Sequence, residues 1–360
     1  MTRLGDVCAI RYGKDHKKLS DGSIPAYGSG GIIRYVDTAI CEKPSVLIPR
    51  KGTLCNLFYT DKPFWTVDTL FWTNIDQTKI VPKYLYYQLK QKDLASYNVG
   101  TAVPSLTVEI LNEIDFEVPS IDKQKRIVEV LNSFDSKIAL NNQLNDYLEQ
   151  LVDGKFQELF GGLNFNATLS DVAEITMGQS PAGSSYNEEG AGIIFYQGRG
   201  EFGWRFPKRR LYTTEPKRLA CEGDVLMSVR APVGDLNVAF ENCCIGRGLA
   251  AIHSETPSFA LYLMRFLKPQ LEAYNGEGTV FGSINGKALK SLEVALPSHN
   301  EVMQFESFAA PIDALIRSNE NETRKLNNLR NYLLPKLMSG EIDVSKVDLT
   351  QLTNNHLAAC

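Results

Sequence analysis

Between Ile121 and Phe160 apolar residues recur at alternating spacings of three and four, through Ile127, Leu131, Phe134 and Ile138, then past a polar Asn141 to Leu148, Val152 and Leu159. That alternation predicts one long amphipathic helix carrying a coiled-coil seam. Forty residues at ~1.5 Å each make a rod of roughly 60 Å, longer than a domain of this size needs for its own core, so the helix requires a partner. The partner is in the same chain. A shift of 178 residues carries the seam onto Phe305, Ala309, Ile312, Ile316, Asn319, Leu326, Arg330 and Leu337, inside a second apolar-periodic segment from about His299 to Met338. The same shift pairs Gly100-Thr101 with Gly278-Thr279, Ser105 with Ser283, Pro119 with Pro297, Asp135 with Asp313 and Gly162 with Gly340. Self-similarity at a fixed offset is a duplication.

Shorter-period patterns fill the space before each long helix. Residues 1–119 open with the strand-like LGDVCAIRYGK and the turn-rich DHKKLSDGS, then place a glycine cluster between apolar segments in IPAYGSGGIIRYV. SVLIPRKG, NLFYTD and TLFWTN read as strands; VPKYLYYQLKQKDLASY has helical spacing started at Pro82; a loop, a short helix and a strand close at Pro119. After GGLNFNAT the plan restarts at Leu169, where LSDVAEITMGQ repeats LGDVCAIRYGK. The expected fold is α+β: two mixed α/β domains (1–119 and 163–297) separated by two long antiparallel coiled-coil helices (120–162 and 298–342), with a tail at 343–360. The link from Phe160 to Leu169 spans at most about 30 Å, so the second domain sits near the far end of the first helix and the second helix runs back. A pseudo-twofold relation follows, with Asn141 meeting Asn319 near the axis as a paired polar residue that fixes register at some cost in stability.

The tandem order, the opening L-x-D-V-x-x-I-x-x-G, the helix start PSIDKQKRIVEVLNSFDSKI and the exit LLPKLMSGEI resemble the specificity subunit of type I restriction-modification systems. The resemblance runs to about Leu349, with one departure: Gln124 in the first helix start has Val302 as its equivalent. The resemblance implies two target-recognition domains, each reading part of a bipartite, asymmetric double-stranded DNA site. It implies that the helical regions hold two methylation subunits, and that restriction/translocase subunits join them. Adenine-N6 methylation with S-adenosylmethionine, and ATP with Mg, would belong to those partners, and no cofactor to this chain.

Composition changes this picture in one place. At 360 residues, 43% hydrophobic and 22% charged, the chain is of ordinary globular type, and the N-terminal stretch has no apolar run of signal-peptide or membrane-span length. A cytoplasmic protein without a membrane partner is expected. Seven cysteines (8, 41, 55, 221, 243, 244, 360) form no C-x-x-C pair and read as reduced and structural, while His16, His253, His299 and His356 show no ligand spacing. The net charge of −4 argues against nucleic-acid binding, but between Arg199 and Arg230 eight cations face four anions.

Cations beside glycine-rich turns are the expected DNA contacts, since backbone there approaches phosphate and arginine reaches guanine edges. In the first copy these are Lys14, Lys17, Lys18, Arg34, Arg50 and Lys51, with Tyr27, Ser29 and Thr101; in the second, Arg199, Arg205, Lys208, Arg209, Arg210 and Arg230, with Thr279 and Ser283. The competing reading is a solvated charged face. Trp65, Phe71, Trp72 and Trp204 are expected in the core. No N-P-P-[YF], D-P-P-[YF] or F-x-G-x-G string is present, GSINGK at Gly282–Lys287 has the wrong spacing for a phosphate loop, and Glu215-Pro216-Lys217 places proline in an awkward strand. A non-catalytic DNA-recognition subunit is the expectation. The alternatives are a duplicated coiled-coil scaffold that binds protein, and a cryptic nuclease.

Overall fold

In the computed structural model, which describes residues 1–100, 102–276 and 282–347, the repeated opening motif folds in the same way twice. Its first four residues are a single helical turn (Leu4–Val7 and Leu169–Val172), where a strand was expected. The repeated aspartate is the cause. Asp6 accepts the Arg3 backbone N–H at 2.9 Å and Asp171 that of Thr168 at 2.8 Å, a side-chain bond back to the residue before the turn that closes it before the strands Cys8–Tyr12 and Glu174–Met177 begin. The repeated leucine and isoleucine are core: Leu4, Ile10, Leu169 and Ile175 are all buried. The repeated glycine is forced by close approach, because a Cβ at Gly13 would lie 2.0 Å from the Val67 carbonyl oxygen and one at Gly178 2.2 Å from that of Gly246.

Contacts divide the chain into two units, Met1–Leu140 with the chain from Glu322, and Asn141–Asn321. In the first, the strands Cys8–Tyr12, Leu70–Ile75, Ser45–Pro49 and Phe58–Thr60 make an antiparallel sheet in that order, beside a three-stranded sheet built on the hairpin Asp21–Gly28 and Gly31–Val36. In the second, Glu174–Met177, Leu249–His253, Val225–Ser228 and Leu236–Val238 repeat the four-stranded order, beside a five-stranded sheet. Register fixes the equivalence: Pro49 faces Leu70 as Ser228 faces Leu249.

The two long helices run Ile121–Phe160 and His299–Ser339. Each gives one half to each unit. In the first unit Ile127, Val130, Leu131 and Phe134 are buried with Leu326, Leu337 and Met338 against Leu4, Tyr84 and Tyr87 of the domain. In the second, Val152, Phe156 and Phe160 are buried with Val302, Phe305 and Ala309 against Phe259 and Tyr262. The predicted seam is therefore also a wall of each domain's core. Within each unit the helices are antiparallel: Asp135 pairs with Arg330 at 2.7 Å and Lys137 with Glu322 at 3.2 Å in one, while in the other Phe156 meets Phe305 edge-to-face with ring centroids 5.3 Å apart and Glu149 and Asp313 share Arg205.

The seam departs from the sequence pattern in its second part. Ile316 is buried and Ile138 and Ile312 are half-buried, but Leu148 is only half-buried outside the hydrophobic clusters and Leu159 is 41% exposed. Phe156 and Phe160 take its place. Steps of four from Val152 turn the buried face by about 40° each, toward the ring cluster of Phe259, Phe266 and Phe305. Burying two phenylalanines there outweighs burying one leucine on the strict seven-residue repeat.

The polar break also differs from expectation. Asn141 and Asn319 are both buried, yet Asn141 donates to the Asn319 backbone carbonyl at 3.4 Å, while the Asn319 side-chain amide donates to Asn145 Oδ1 at 2.9 Å. Asn145 is 1% exposed and is the partner the apolar pattern passes over. Replacing Asn141 and Asn319 together by leucine is therefore expected to lower stability by about 1–3 kcal/mol, the penalty of an orphaned buried amide at Asn145. Adding Asn145→Leu should recover most of that loss in thermal unfolding; a double variant as stable as the parent would contradict the pairing.

The departure at Gln124 and Val302 has a local explanation. Gln124 is fully buried and its amide accepts the Val81 N–H at 2.7 Å and donates to the Pro119 carbonyl at 2.8 Å, satisfying backbone at the start of the domain helix Pro82–Lys90. In the second unit Val302 is packed apolar, and Glu306, one turn further on, takes the Ser258 and Phe259 N–H groups at 3.2 and 2.8 Å at the start of Pro257–Phe266. Its equivalent in the first helix is the apolar Val128. The polar anchor has moved by one turn between the copies, and each time it meets unsatisfied donors at a helix N-terminus.

Candidate nucleic-acid interface

In both units the strand that follows the sheet's centre ends in a turn bearing a cation, and that turn bridges to a serine in the loop before a short helix: Lys51 with Ser105, Arg230 with Ser283. The neighbouring loop is also shared, since Val67 N–H donates to the Tyr27 carbonyl at 3.0 Å as Gly246 N–H does to Tyr196 at 2.8 Å. Upon this common frame the two copies mount different side chains.

In the second unit the frame closes on a cavity of about 220 Å³ lined by Ser180, Gln197, Arg199, Ser228, Arg230 and Arg247. Arg199 is held by Asp235 at 2.7 Å. Arg230 and Arg247 are exposed and make no ion pair among the described residues. Three guanidinium groups beside glycine backbone form a concave, cationic surface, and arginine's planar fork suits both phosphate and the O6/N7 edge of guanine. Arg247 is absent from the sequence candidates. The signal was available: Gly198-Arg199-Gly200 and Gly246-Arg247-Gly248 are the same tripeptide, and the fold brings both to one cavity.

The rest of the basic run is less free than its composition implies. Arg205 is 4% exposed, bound to Asp313 at 3.0 Å, to Glu149 at 3.2 Å and to the Tyr262 hydroxyl at 3.1 Å. Its expected role as a DNA contact is corrected: it is an internal anchor, and carboxylates on both long helices neutralise it. Arg265 reinforces the same place through Glu149 at 2.9 Å and Asp153 at 2.6 Å. Arg209 pairs with Glu241 and Arg210 with Glu201, and Lys208 is exposed. Trp204 is 44% exposed, with the Arg205 guanidinium 5.6 Å from its ring, so it too leaves the predicted core, while Trp65 and Phe71 are buried and Trp72 is half-buried.

In the first unit Arg34 is tied to Asp21 at 2.7 Å and to the Leu19 carbonyl at 3.1 Å, bracing the hairpin. Tyr27 is half-buried against Phe58, and burial raises its hydroxyl pKa. Ser29 is half-buried and its carbonyl accepts from Asn56 at 3.1 Å. Arg50 donates to the Asp68 carbonyl at 3.1 Å and lies 5.3 Å from the Tyr12 ring, which is itself 53% exposed. Lys14, Lys17, Lys18 and Lys51 are exposed, and Ser283 is exposed in the second unit. Thr101 and Thr279 lie outside the described residues. By register, Asp68 stands where the second unit has Arg247, so the same frame carries opposite charge at one point of the two surfaces.

Asn285 within GSINGK caps the helix Gly286–Lys290 by accepting the Ala288 N–H at 2.9 Å, which accounts for that string as a helix start. No described helix is long and apolar enough to cross a membrane.

The model of the type I restriction modification DNA specificity domain matches residues 1–150 and 166–331. The putative type I restriction enzyme MjaX specificity subunit of Methanocaldococcus jannaschii is 34% identical over 298 residues, covering 75% of this chain and 70% of that protein. The MjaIX specificity subunit of the same organism is 23% identical over 360 residues, covering 88% and 81%. Among solved structures, the type I restriction-modification S subunit from M. genitalium superposes with a TM-score of 0.62 at 17% identity, covering 93% and 95% of the two chains, which shows the shared fold. Two α/β domains, each walled by long helices and each presenting its own polar surface on a common frame, define a duplicated recognition module. The chain belongs to the type I restriction-modification DNA specificity family, whose specificity subunits are non-catalytic recognition components of their complexes.

Proposed function

We propose that this chain reads a bipartite, asymmetric sequence in double-stranded DNA, one part with each domain, and that its long helices hold two methylation subunits and the restriction/translocase subunits. Methyl transfer to adenine N6 from S-adenosylmethionine, and ATP-driven translocation with Mg, reside in those partners. The observation that carries the DNA reading is the shared frame with unlike surfaces: Arg199, Arg230 and Arg247 around one cavity, Arg50, Lys51 and Asp68 on the equivalent surface. A scaffold that only held protein would have no use for two different polar surfaces on one backbone plan. Arginine in the second domain favours guanine or phosphate, whereas a carboxylate in the first can accept from a cytosine amino group. The partner reading is supported by a stripe on the first long helix, where Leu140, Leu144, Tyr147 and Leu151 follow three-four spacing and are 39–60% exposed. Apolar side chains in helical register on a solvent face mark an interaction surface.

Replacing Arg230 and Arg247 together by alanine should weaken duplex binding and reduce the slope of log affinity against log salt by about two units, one for each phosphate that is no longer neutralised. Arg209 and Arg210, each already neutralised by a glutamate, should change that slope by less. Fluorescence anisotropy across a salt series checks both. An unchanged slope for the first pair would remove the cavity from the DNA surface.

A further inference from the structure

At the far end of the strand pair Val225–Ser228 and Leu249–His253 from the arginine cavity, three unlike donor groups converge. Cys221 and Asp224 bracket a tight turn closed by the Asp224 N–H donating to the Cys221 carbonyl at 3.1 Å, with Gly223 at φ +90°. Such a turn presents its first and fourth side chains at one mouth. Asp224 is 5% exposed and fixed, since its Oδ2 accepts the Cys221 N–H at 2.8 Å. His253 ends the neighbouring strand with its ring Nδ1 2.7 Å from Asp224 Oδ1, and the thiol sulfur, a carboxylate oxygen and a ring nitrogen all lie within 4.8 Å of one another.

We propose that Cys221, Asp224 and His253 form a three-ligand site for a divalent cation of the zinc class, with a fourth position open to water. The donor set selects the ion. Thiolate, imidazole and carboxylate together are what zinc takes, whereas magnesium and calcium demand oxygen throughout. The geometry requires a small closure: tetrahedral arms of about 2.0–2.3 Å set ligand atoms about 3.3–3.8 Å apart, and the exposed Cys221 and His253 are free to move onto the fixed aspartate. The cation would displace the thiol proton and the hydrogen bond between His253 and Asp224. These residues are not demanded by the frame, because register places Ser45 and Asn74 at the positions of Asp224 and His253 in the first unit. Within the same turn Glu222 pairs with Arg317 of the helix His299–Ser339 at 2.7 Å. A bound cation would thereby stiffen the turn that fastens the second domain to its helix, independently of how DNA is read.

The test uses the full-length chain, stripped with a chelator and titrated with Co²⁺ under reducing conditions. One equivalent should bind with a thiolate-to-cobalt charge-transfer band that Zn²⁺ displaces. Cys221→Ser should abolish the band and His253→Asn should weaken binding by at least about tenfold, the scale on which even an outer-shell partner counts. Cys55→Ser, an exposed thiol in the first domain, should change neither. As a second readout, Zn²⁺ should raise the melting temperature of the parent and leave that of Cys221→Ser where it was. Absence of the thiolate band, its survival in Cys221→Ser, or undiminished binding by His253→Asn would each overturn the site and leave an ordinary His–Asp ion pair beside an unrelated thiol.

Discussion

Arg205→Ala is expected to destabilise the second unit by about 3 kcal/mol, the low end of the range for breaking a buried ion pair. The guanidinium is almost fully buried, and its removal leaves Asp313, among the described residues, with the Tyr262 hydroxyl at 3.0 Å. Two facts hold the figure at the low end: Glu149 keeps Arg265, and the side chains of Glu149 and Asp313 retain 16% and 20% exposure. Arg205→Met with Asp313→Asn should recover part of the loss, because the charge at 313 is gone and the stem volume is kept. Urea unfolding provides the comparison. The folded Arg205→Ala protein should keep the parent's salt slope on duplex DNA, since the residue sits inside the domain; a flattened slope would return Arg205 to the DNA surface.

A fragment of residues 1–162 should dimerise weakly, and Val152→Arg should tighten it by about a hundredfold. In the first unit Asp135 is bound by the Tyr87 hydroxyl, by Lys83 at 3.6 Å and by Arg330 at 2.7 Å from the second helix. Through the duplication, residues 144–161 stand in for the segment from Glu322 to Ser339, and Val152 falls where Arg330 was. Two fragments packed antiparallel bury their seams but give each Asp135 a valine. A hydrogen bond to a charged group contributes about 1.5–3 kcal/mol, and two such sites per dimer, each taken at the lower figure, give roughly two decades in dissociation constant at ~1.4 kcal/mol per decade. Sedimentation equilibrium measures this. Supplied with the methylation partner, the dimer should direct methylation to an inverted repeat of the first half-site. Failure of the arginine to strengthen association, or methylation confined to the original asymmetric site, would break the equivalence of the two helices.

The long helices and the duplication were legible because a seam of Ile127, Leu131, Phe134, Ile316, Leu326 and Leu337 obeys one period over many turns. The motif's aspartate and glycine were visible as letters, but a capped turn and a carbonyl 2.0 Å from a hypothetical Cβ are properties of the folded backbone. Leu159 and Phe160 exchanged roles because a domain distant in sequence supplies the rings that Phe160 meets. Charge counting marked the stretch from Arg199 to Arg230, yet it could not separate Arg205, neutralised by Glu149 and Asp313, from Arg230, which faces solvent. Arg247 stands alone among the cations of its stretch, so charge counting passes over it; the repeated Gly-Arg-Gly marks it as a letter pattern, and strand pairing carries it to Arg199.

The migrating polar anchor sets where such proteins can be cut and rejoined. Gln124 and Glu306 lie on the long helices, but the backbone groups they satisfy belong to the domains. A crossover at Pro119 would hand a foreign domain a glutamine placed for another chain's helix start, or bring a domain whose carboxylate stays behind. The inheritable cassette is therefore the domain together with the first two turns of the helix after it, and exchange between relatives that respects this joint conserves stability while specificity is free to vary.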